Sequence, residues 1–324
     1  MQDLTTVPPA RVPSPDTVRH RKAAGKNLTY LGPGDTIGEG DSDLVLDLLP
    51  AAFADQAFRQ LQEEVQWAVM HHRGSEVPRL VAVQGQVAFD GSFPIYRHPA
   101  DESPPLLPFT PTVLLIKEHV ERVLNHPVNH VLIQLYRGGT DYISPHADKT
   151  IDVVHGSKIV NVSLGAERLM ILRTKKDAAL EPATIEPTKM GSVRNAQRIP
   201  LPHNSMFVLG LETNAKWLHG IRQDKRLPTE KTPSEVAFDG ARISLTFRRI
   251  GTFLTADQSL IYGQGATGKT LETARPVING VEDETNRLIM GFGNENQRSD
   301  FDWEAEYGRG SDVLHFVNEA APAS

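Results

Sequence analysis

The chain contains no cysteine. That excludes disulfides, zinc–thiolate centres, iron–sulfur clusters and thiol nucleophiles, so any metal must be held by His, Asp, Glu or backbone oxygen. Aromatic residues make up only 6%, which leaves few flat faces on which nucleic-acid bases stack. No apolar run reaches the length of a membrane span. The opening stretch MQDLTTVPPARVPSPDTVRHRKAAGK lacks the apolar centre of a signal peptide. The expectation is an intracellular, non-secreted protein without membrane association, in which the N-x-[ST] matches at Asn27 and Asn161 carry no meaning. A basic excess is missing too. The net charge is -6, with the acids concentrated after Leu271 and residues 1–270 close to neutral. Tight nucleic-acid binders usually carry a surplus of Lys and Arg, and the basic run RHRK at 19–22 is too short to supply one.

What is present reads as a globular chain of 324 residues, long enough for a core that needs no staples. In AFADQAFRQLQEEVQWAVMHH, Phe58, Leu61, Val65 and Ala68 recur at helical spacing, and His71 and His72 read as the end of that helix. TPTVLLIKEHVERVLNH predicts a second helix, with Thr110 as N-cap, Pro111 in the first turn and Val113, Ile116, Val120 and Val123 as the buried stripe. From Asn129 the texture changes. HVLIQLYR, SKIVNVSLG, ERLMILRT, NSMFVLGL and ARISLTFRRI alternate apolar and polar residues between Gly, Asp and Pro. Strands so spaced predict an antiparallel sandwich or barrel preceded by helices, not a doubly wound nucleotide fold. Three regions follow: a mobile tail over 1–26, a catalytic domain over 27–255 with its β core at about 129–250, and an acidic C-terminal extension over 256–324.

Chemistry concentrates in a few of these pieces. YISPHADKTID holds His146 and Asp148 two residues apart, a spacing that aims both side chains the same way on a strand or tight turn. His219 follows in AKWLHGIRQ. Two histidines and one carboxylate make a facial triad, which fills one face of octahedral iron(II) and leaves the other open. Arg242 and Arg248 lie an even six apart in RISLTFR, on one face of a strand, where forked cations suit a dicarboxylate.

Taken in order, VPR with Gly85 following, PFTPTVLLIKEHV, NHVLIQLYRGGTDYISPHAD, GSKIVNVSLGA, WLH and RISLTFR resemble the AlkB-type iron(II)/2-oxoglutarate dioxygenases. The resemblance spans roughly residues 77–250. It implies a mainly β, α+β fold: a double-stranded β-helix (jelly roll) core with N-terminal helices packed on it and a C-terminal extension. It also implies iron(II) on His146, Asp148 and His219. The co-substrate 2-oxoglutarate would be held by Arg242 and Arg248, with hydroxyls of Tyr136 and Thr246 donating to it. With O2 as second co-substrate, 2-oxoglutarate becomes succinate and CO2 while a substrate C–H bond is hydroxylated; a carbon on nitrogen then leaves as formaldehyde.

The chain departs from the family in two places. Gln134 replaces the family's Asn two residues before the cofactor tyrosine and still offers an amide, and Gln84 replaces an aromatic that base-repairing relatives carry before Gly85. Arg79 matches a lid position of those relatives, with a solvated surface arginine as the equal alternative, and Trp217 shares the strand face of His219 beside the metal. Neutral charge and the missing aromatic lean the substrate toward a small metabolite or amino-acid-like molecule. The alternative is oxidative demethylation of N-alkylated bases in DNA or RNA.

A third reading comes from GQGATGKT at 263–270, which matches the phosphate-loop pattern G-x-x-x-x-G-K-[ST]. Its lead-in DQSLIY is short and half polar, and Pro276 and Gly280 cut short any helix after it. It reads instead as a Gly-rich turn opening the C-terminal extension, with residues 262–269 folding back toward the pocket to shape substrate choice. His155 reads as a loop residue with a pocket role as the alternative.

Overall fold

The computed structural model describes residues 29–176 and 194–315, together with a two-residue strand pair, Lys22–Ala23 and Lys26–Asn27. Apart from that pair, the tail read over 1–26 lies outside the described residues.

The alternating segments all form strands. Four of them, with three further strands, compose one sheet in the spatial order Asp43–Leu46, Ser205–Leu209, Ile159–Gly165, Arg242–Arg248, His130–Tyr136, Leu80–Gly85 and Leu106–Pro108. A second sheet of four runs Ile143–His146, Trp217–Ile221, Arg168–Thr174 and Ala196–Leu201. All pairings in these two sheets are antiparallel save Leu80–Gly85 with Leu106–Pro108.

Strand periodicity sorts the large sheet into two faces. Val160, Val162, Leu164, Ile243, Leu245 and Phe247 pack on one side against Ala54, Phe58 and Leu61 of the helix Ala51–Glu64 and Val113, Ile116 and Val120 of the helix Pro111–Leu124. The opposite face meets the four-stranded sheet, where Ile159, Phe207 and Leu209 join Met170, Leu172 and Ile221 in a second core. Arg242, Thr246, Gln134 and Asn161 fall on this inner face, where the two sheets enclose a pocket. The mixed architecture therefore has two helices on one side of the large sheet and the polar pocket on the other.

The second helix spans Pro111–Leu124, with Thr110 in the N-cap place although its side chain makes no capping bond. Val123, read as part of the stripe, is 48% exposed. The first helix stops at Glu64, earlier than the periodicity implies. Val65 turns extended, and Ala68 exchanges both backbone hydrogen bonds with Val81, extending the sheet instead. His71–His72 is consequently a strand paired with Ser75–Glu76, not a helix end. The chain also crosses residue 256 within a single sheet, because Thr252–Leu254 pairs with Leu260–Gly263 on one side and Phe93–Pro94 on the other. Beyond it, the helix Glu282–Gln297 packs Leu288 and Phe292 against Ile151, Tyr307 and Val313.

Candidate active site

His146 ends its strand, Asp148 sits in the loop that follows, and His219 lies at the middle of Trp217–Ile221, paired directly with His146. Oδ1 of Asp148 is 3.7 Å from Nε2 of His146 and 3.6 Å from Nε2 of His219. One ligand atom from each of the three lies within 4.8 Å of the others, the only such His/Asp/Glu grouping among the described residues. Burial pushes the His146 imidazole down to about 3 and lowers that of His219 as well, so both rings are neutral near pH 7 and present lone pairs. Burial opposes ionisation of Asp148, but the Arg248 guanidinium, through its charge and its hydrogen bonds, outweighs it and holds the carboxyl well below its usual range. Two neutral imidazoles and a carboxylate are the donor set that fits iron(II).

Arg248 approaches Asp148 from the other side. Its Nη2 and Nε donate to Oδ2 at 2.6 and 3.0 Å, which leaves Oδ1 facing the histidines. Its guanidinium also lies 4.0 Å from the ring centre of Tyr96, a residue that the sequence reading missed. Arg242, 1% exposed, donates through Nη2 to Asn161 and Ser163 at 2.8 and 2.7 Å. Its remaining Nε and Nη1, and Nη1 of Arg248, are buried without a partner among the described residues. Burial without a paired anion pushes the Arg242 guanidinium down to about 10. Unpartnered buried N–H groups on two cations are costly unless an anion joins them, so the pocket fits a dicarboxylate.

Around this pair, Asn161 donates to the hydroxyls of Ser244 and Thr246 at 2.6 and 3.0 Å, and Tyr136 donates to Gln134 at 3.4 Å. Gln134, Tyr136, Asn161, Thr246 and both arginines line the pocket with the three candidate metal ligands. The inward-facing polar pair Asn161 and Ser163, in an otherwise apolar strand, was the available signal for Asn161.

Four other residues singled out from sequence are not brought into that lining. Gln84, 1% exposed, accepts the Thr110 N–H at 2.9 Å and so holds the start of the second helix. Arg79, 7% exposed rather than solvated, donates to the Tyr142 carbonyl at 3.1 Å. Trp217 donates its indole N–H to Glu39 at 2.8 Å. His155 packs edge-on to Trp303 at 4.2 Å.

The glycine-rich loop lies outside the pocket lining, with Thr267, Lys269 and Thr270 exposed. Four of its N–H groups are committed within 2.8 Å: Gly263 to the Gly268 carbonyl, Gln264 to Gly251, Gly265 to the Thr252 hydroxyl and Thr267 to Asp312. A single three-residue turn of helix follows, Leu271–Thr273. Residues 262–269 do not line the pocket; they anchor to its rear, where Gln264 donates to the Val153 carbonyl at 2.6 Å.

Neutral histidines beside a carboxylate, with buried cations lacking an anion, are features that suit a non-haem metal and a dicarboxylate co-substrate. Residues 43–248, which contain all five of these side chains, match the sequence model of the 2OG-Fe(II) oxygenase superfamily, and the chain belongs to that superfamily as an AlkB-like dioxygenase. Its cofactor and co-substrates are iron(II), 2-oxoglutarate and O2. The chain is similar to the human "DNA oxidative demethylase ALKBH2", with 29% identity over 63% of this chain and 71% of the relative. The mouse protein of that name shows 28% identity over 73% and 85%. The bovine "Alpha-ketoglutarate-dependent dioxygenase alkB homolog 3" shows 28% over 61% and 62%. These relatives do not support the lean toward a small metabolite drawn from charge and composition. Among the described residues no helix is long and apolar enough to cross a membrane.

Proposed function

We propose that this chain is an oxidative demethylase of N-alkylated nucleic-acid bases, built on a double-stranded β-helix. The observation that carries the substrate is the run of relatives named as DNA oxidative demethylases. His146, Asp148 and His219 hold the iron, and Arg242 and Arg248, with Tyr136, Thr246 and Gln134, hold 2-oxoglutarate. Bound iron(II) supplies the activation of O2 that lets a C–H bond on an N-alkyl group be hydroxylated, after which the carbon leaves as formaldehyde.

The protein's own residues bind, orient and exclude water. Arg248 polarises Asp148 through Oδ2 and fixes which oxygen faces the histidines. Arg242 offers Nε and Nη1 to an entering carboxylate. Asn161 holds the hydroxyls of Ser244 and Thr246, and so fixes the polar floor. Ile143, Met170, Phe207 and Ile221 form apolar walls that keep water out.

The test is formaldehyde and succinate production with iron(II), 2-oxoglutarate and an N-methylated single-stranded oligonucleotide. Wild type is expected to release both. Replacing Arg242 with Met should raise the KM for 2-oxoglutarate about 10–100-fold, the range of a lost charge-assisted hydrogen bond. Succinate formed with small amines but with no methylated DNA or RNA would reinstate the metabolite reading.

A further inference from the structure

Among the described residues no strand pairs with residues 147–150 of the loop that carries Asp148. Four successive N–H groups donate instead to side chains: Ala147 to Asn296 at 2.8 Å, Asp148 to Asn214 at 2.8 Å, Lys149 to the Tyr96 hydroxyl at 3.0 Å and Thr150 to Glu295 at 2.9 Å. The outer two acceptors come from Glu282–Gln297, a helix beyond the family match, which ends at 248.

These acceptors are built in. Glu295 is 3% exposed and also accepts from the hydroxyls of Thr150 and, at 3.0 Å, Tyr307. A carboxylate is costly to bury unless hydrogen-bonded, and an apolar residue would pack the helix more cheaply. Asn296 Oδ1 lies 3.5 Å from the ammonium of Lys149, which donates to the Ala147 carbonyl at 2.9 Å. The buried ammonium of Lys175 donates to the Glu295 and Arg298 carbonyls at 2.6 and 3.2 Å and also to Ala215, just ahead of the strand bearing His219. The end of the helix is thus tied to both segments that supply the triad.

We propose that Glu295 and Asn296 are positioning residues of the metal centre: the C-terminal helix grips the backbone on either side of Asp148 and holds the triad in its metal-ready arrangement. This rests on reading His146, Asp148 and His219 as the ligands. The extension is then part of the metal site, and its removal costs metal binding rather than altering substrate choice alone. Partners behind metal ligands typically set affinity within a factor of about 10–100.

The experiment titrates full-length protein with cobalt(II) alone, reading affinity and the visible absorption bands of the bound metal. Asn296→Leu and Glu295→Leu should each weaken binding about 10–100-fold and shift the bands. Asn296→Asp and Glu295→Gln, which keep an acceptor oxygen, should restore both. Leu288→Ala loosens the same helix from its apolar side, and should lower thermal stability while leaving affinity unchanged. Wild-type affinity in Asn296→Leu, or an equal loss in Leu288→Ala, overturns the proposal. His219→Ala separates the layers: if it binds cobalt like wild type, the ligand reading fails, whereas loss of cobalt in His219→Ala beside wild-type binding in Asn296→Leu sinks only the role of the helix.

Discussion

Residues 147–150 and 264–270 are both loops in which backbone N–H groups bond to the protein itself. In the first, the acceptors are side chains from the C-terminal helix, from Asn214 and from Tyr96, and this frees the Asp148 carboxylate to face two histidines and an arginine. In the second, the groups turn inward and Lys269 folds onto the loop's own carbonyls. Both loops carry a recognisable motif. What separates them is whether anchoring the backbone leaves a reactive side chain pointing into a pocket. In the metal loop the anchoring presents chemistry; in the glycine loop it ties the extension to the core.

The largest expected contrast is catalytic. His219→Ala should abolish metal binding and reduce succinate formation to background, about 10³-fold or more, since a chelating ligand is lost outright. An activity above a tenth of wild type would break the assignment of the metal loop.

A smaller effect belongs to the join between the loops. Arg97 and Asp152 form an ion pair at 2.6 Å with both side chains 0% exposed, and the same guanidinium donates to the Gly265 carbonyl at 2.9 Å. A Cβ on Gly265 would stand 2.6 Å from the Asp152 carboxylate. Asp152→Asn leaves the arginine buried without its counter-charge, and should cost about 3–5 kcal/mol in denaturant unfolding. If it unfolds like wild type, the second loop is not a structural tie.

How much of this was legible depended on the range of the interactions. His146 with Asp148, and Arg242 with Arg248, sit at even spacing within short segments, so each pair was legible locally, whereas His219 stands alone in WLH and was tied to them by the order of the segments and the family resemblance. The end of the first helix did not show, because Ala68 pairs with Val81 and tertiary pairing overrides a helical pattern that continues past Glu64. Ala196–Leu201 was missed because Pro200 weakens its strand signal, yet it is an edge strand, where a missing N–H is tolerated. Gln84 belongs to a stretch resembling a lid but sits inside the sheet and holds a helix start. Asn296 and Glu295 carry no local signal, since their partners lie about 150 residues away.

The pH axis acts behind the metal loop. His98 is pushed down to about 3, and His130 well below its ordinary value, by burial beside Tyr96 and Arg248. Both are neutral when folded and take up a proton on unfolding below about pH 6.5. The unfolded state then binds more protons, so stability is full above that pH and falls as pH drops through it. Metal-free protein should lose roughly 1 kcal/mol per pH unit per histidine between pH 6 and 4.5. His130→Asn should flatten that slope in a urea series taken at several pH values.

The smallest effect tests the glycine loop directly. Lys269 donates to the carbonyls of Gln264 and Ala266 at 3.0 and 2.7 Å, a partly solvated contact whose loss is worth about 1 kcal/mol. Lys269→Ala should leave succinate formation within twofold of wild type. A phosphate loop instead needs its lysine and N–H groups free for the anion, and a ligand bound only by the folded state raises the melting temperature by mass action. Magnesium-ATP should therefore leave the melting temperature of wild type where it is. A rise that disappears in Lys269→Ala would mean that the N–H groups now satisfied internally can open to phosphate, and the two loops would no longer differ in kind.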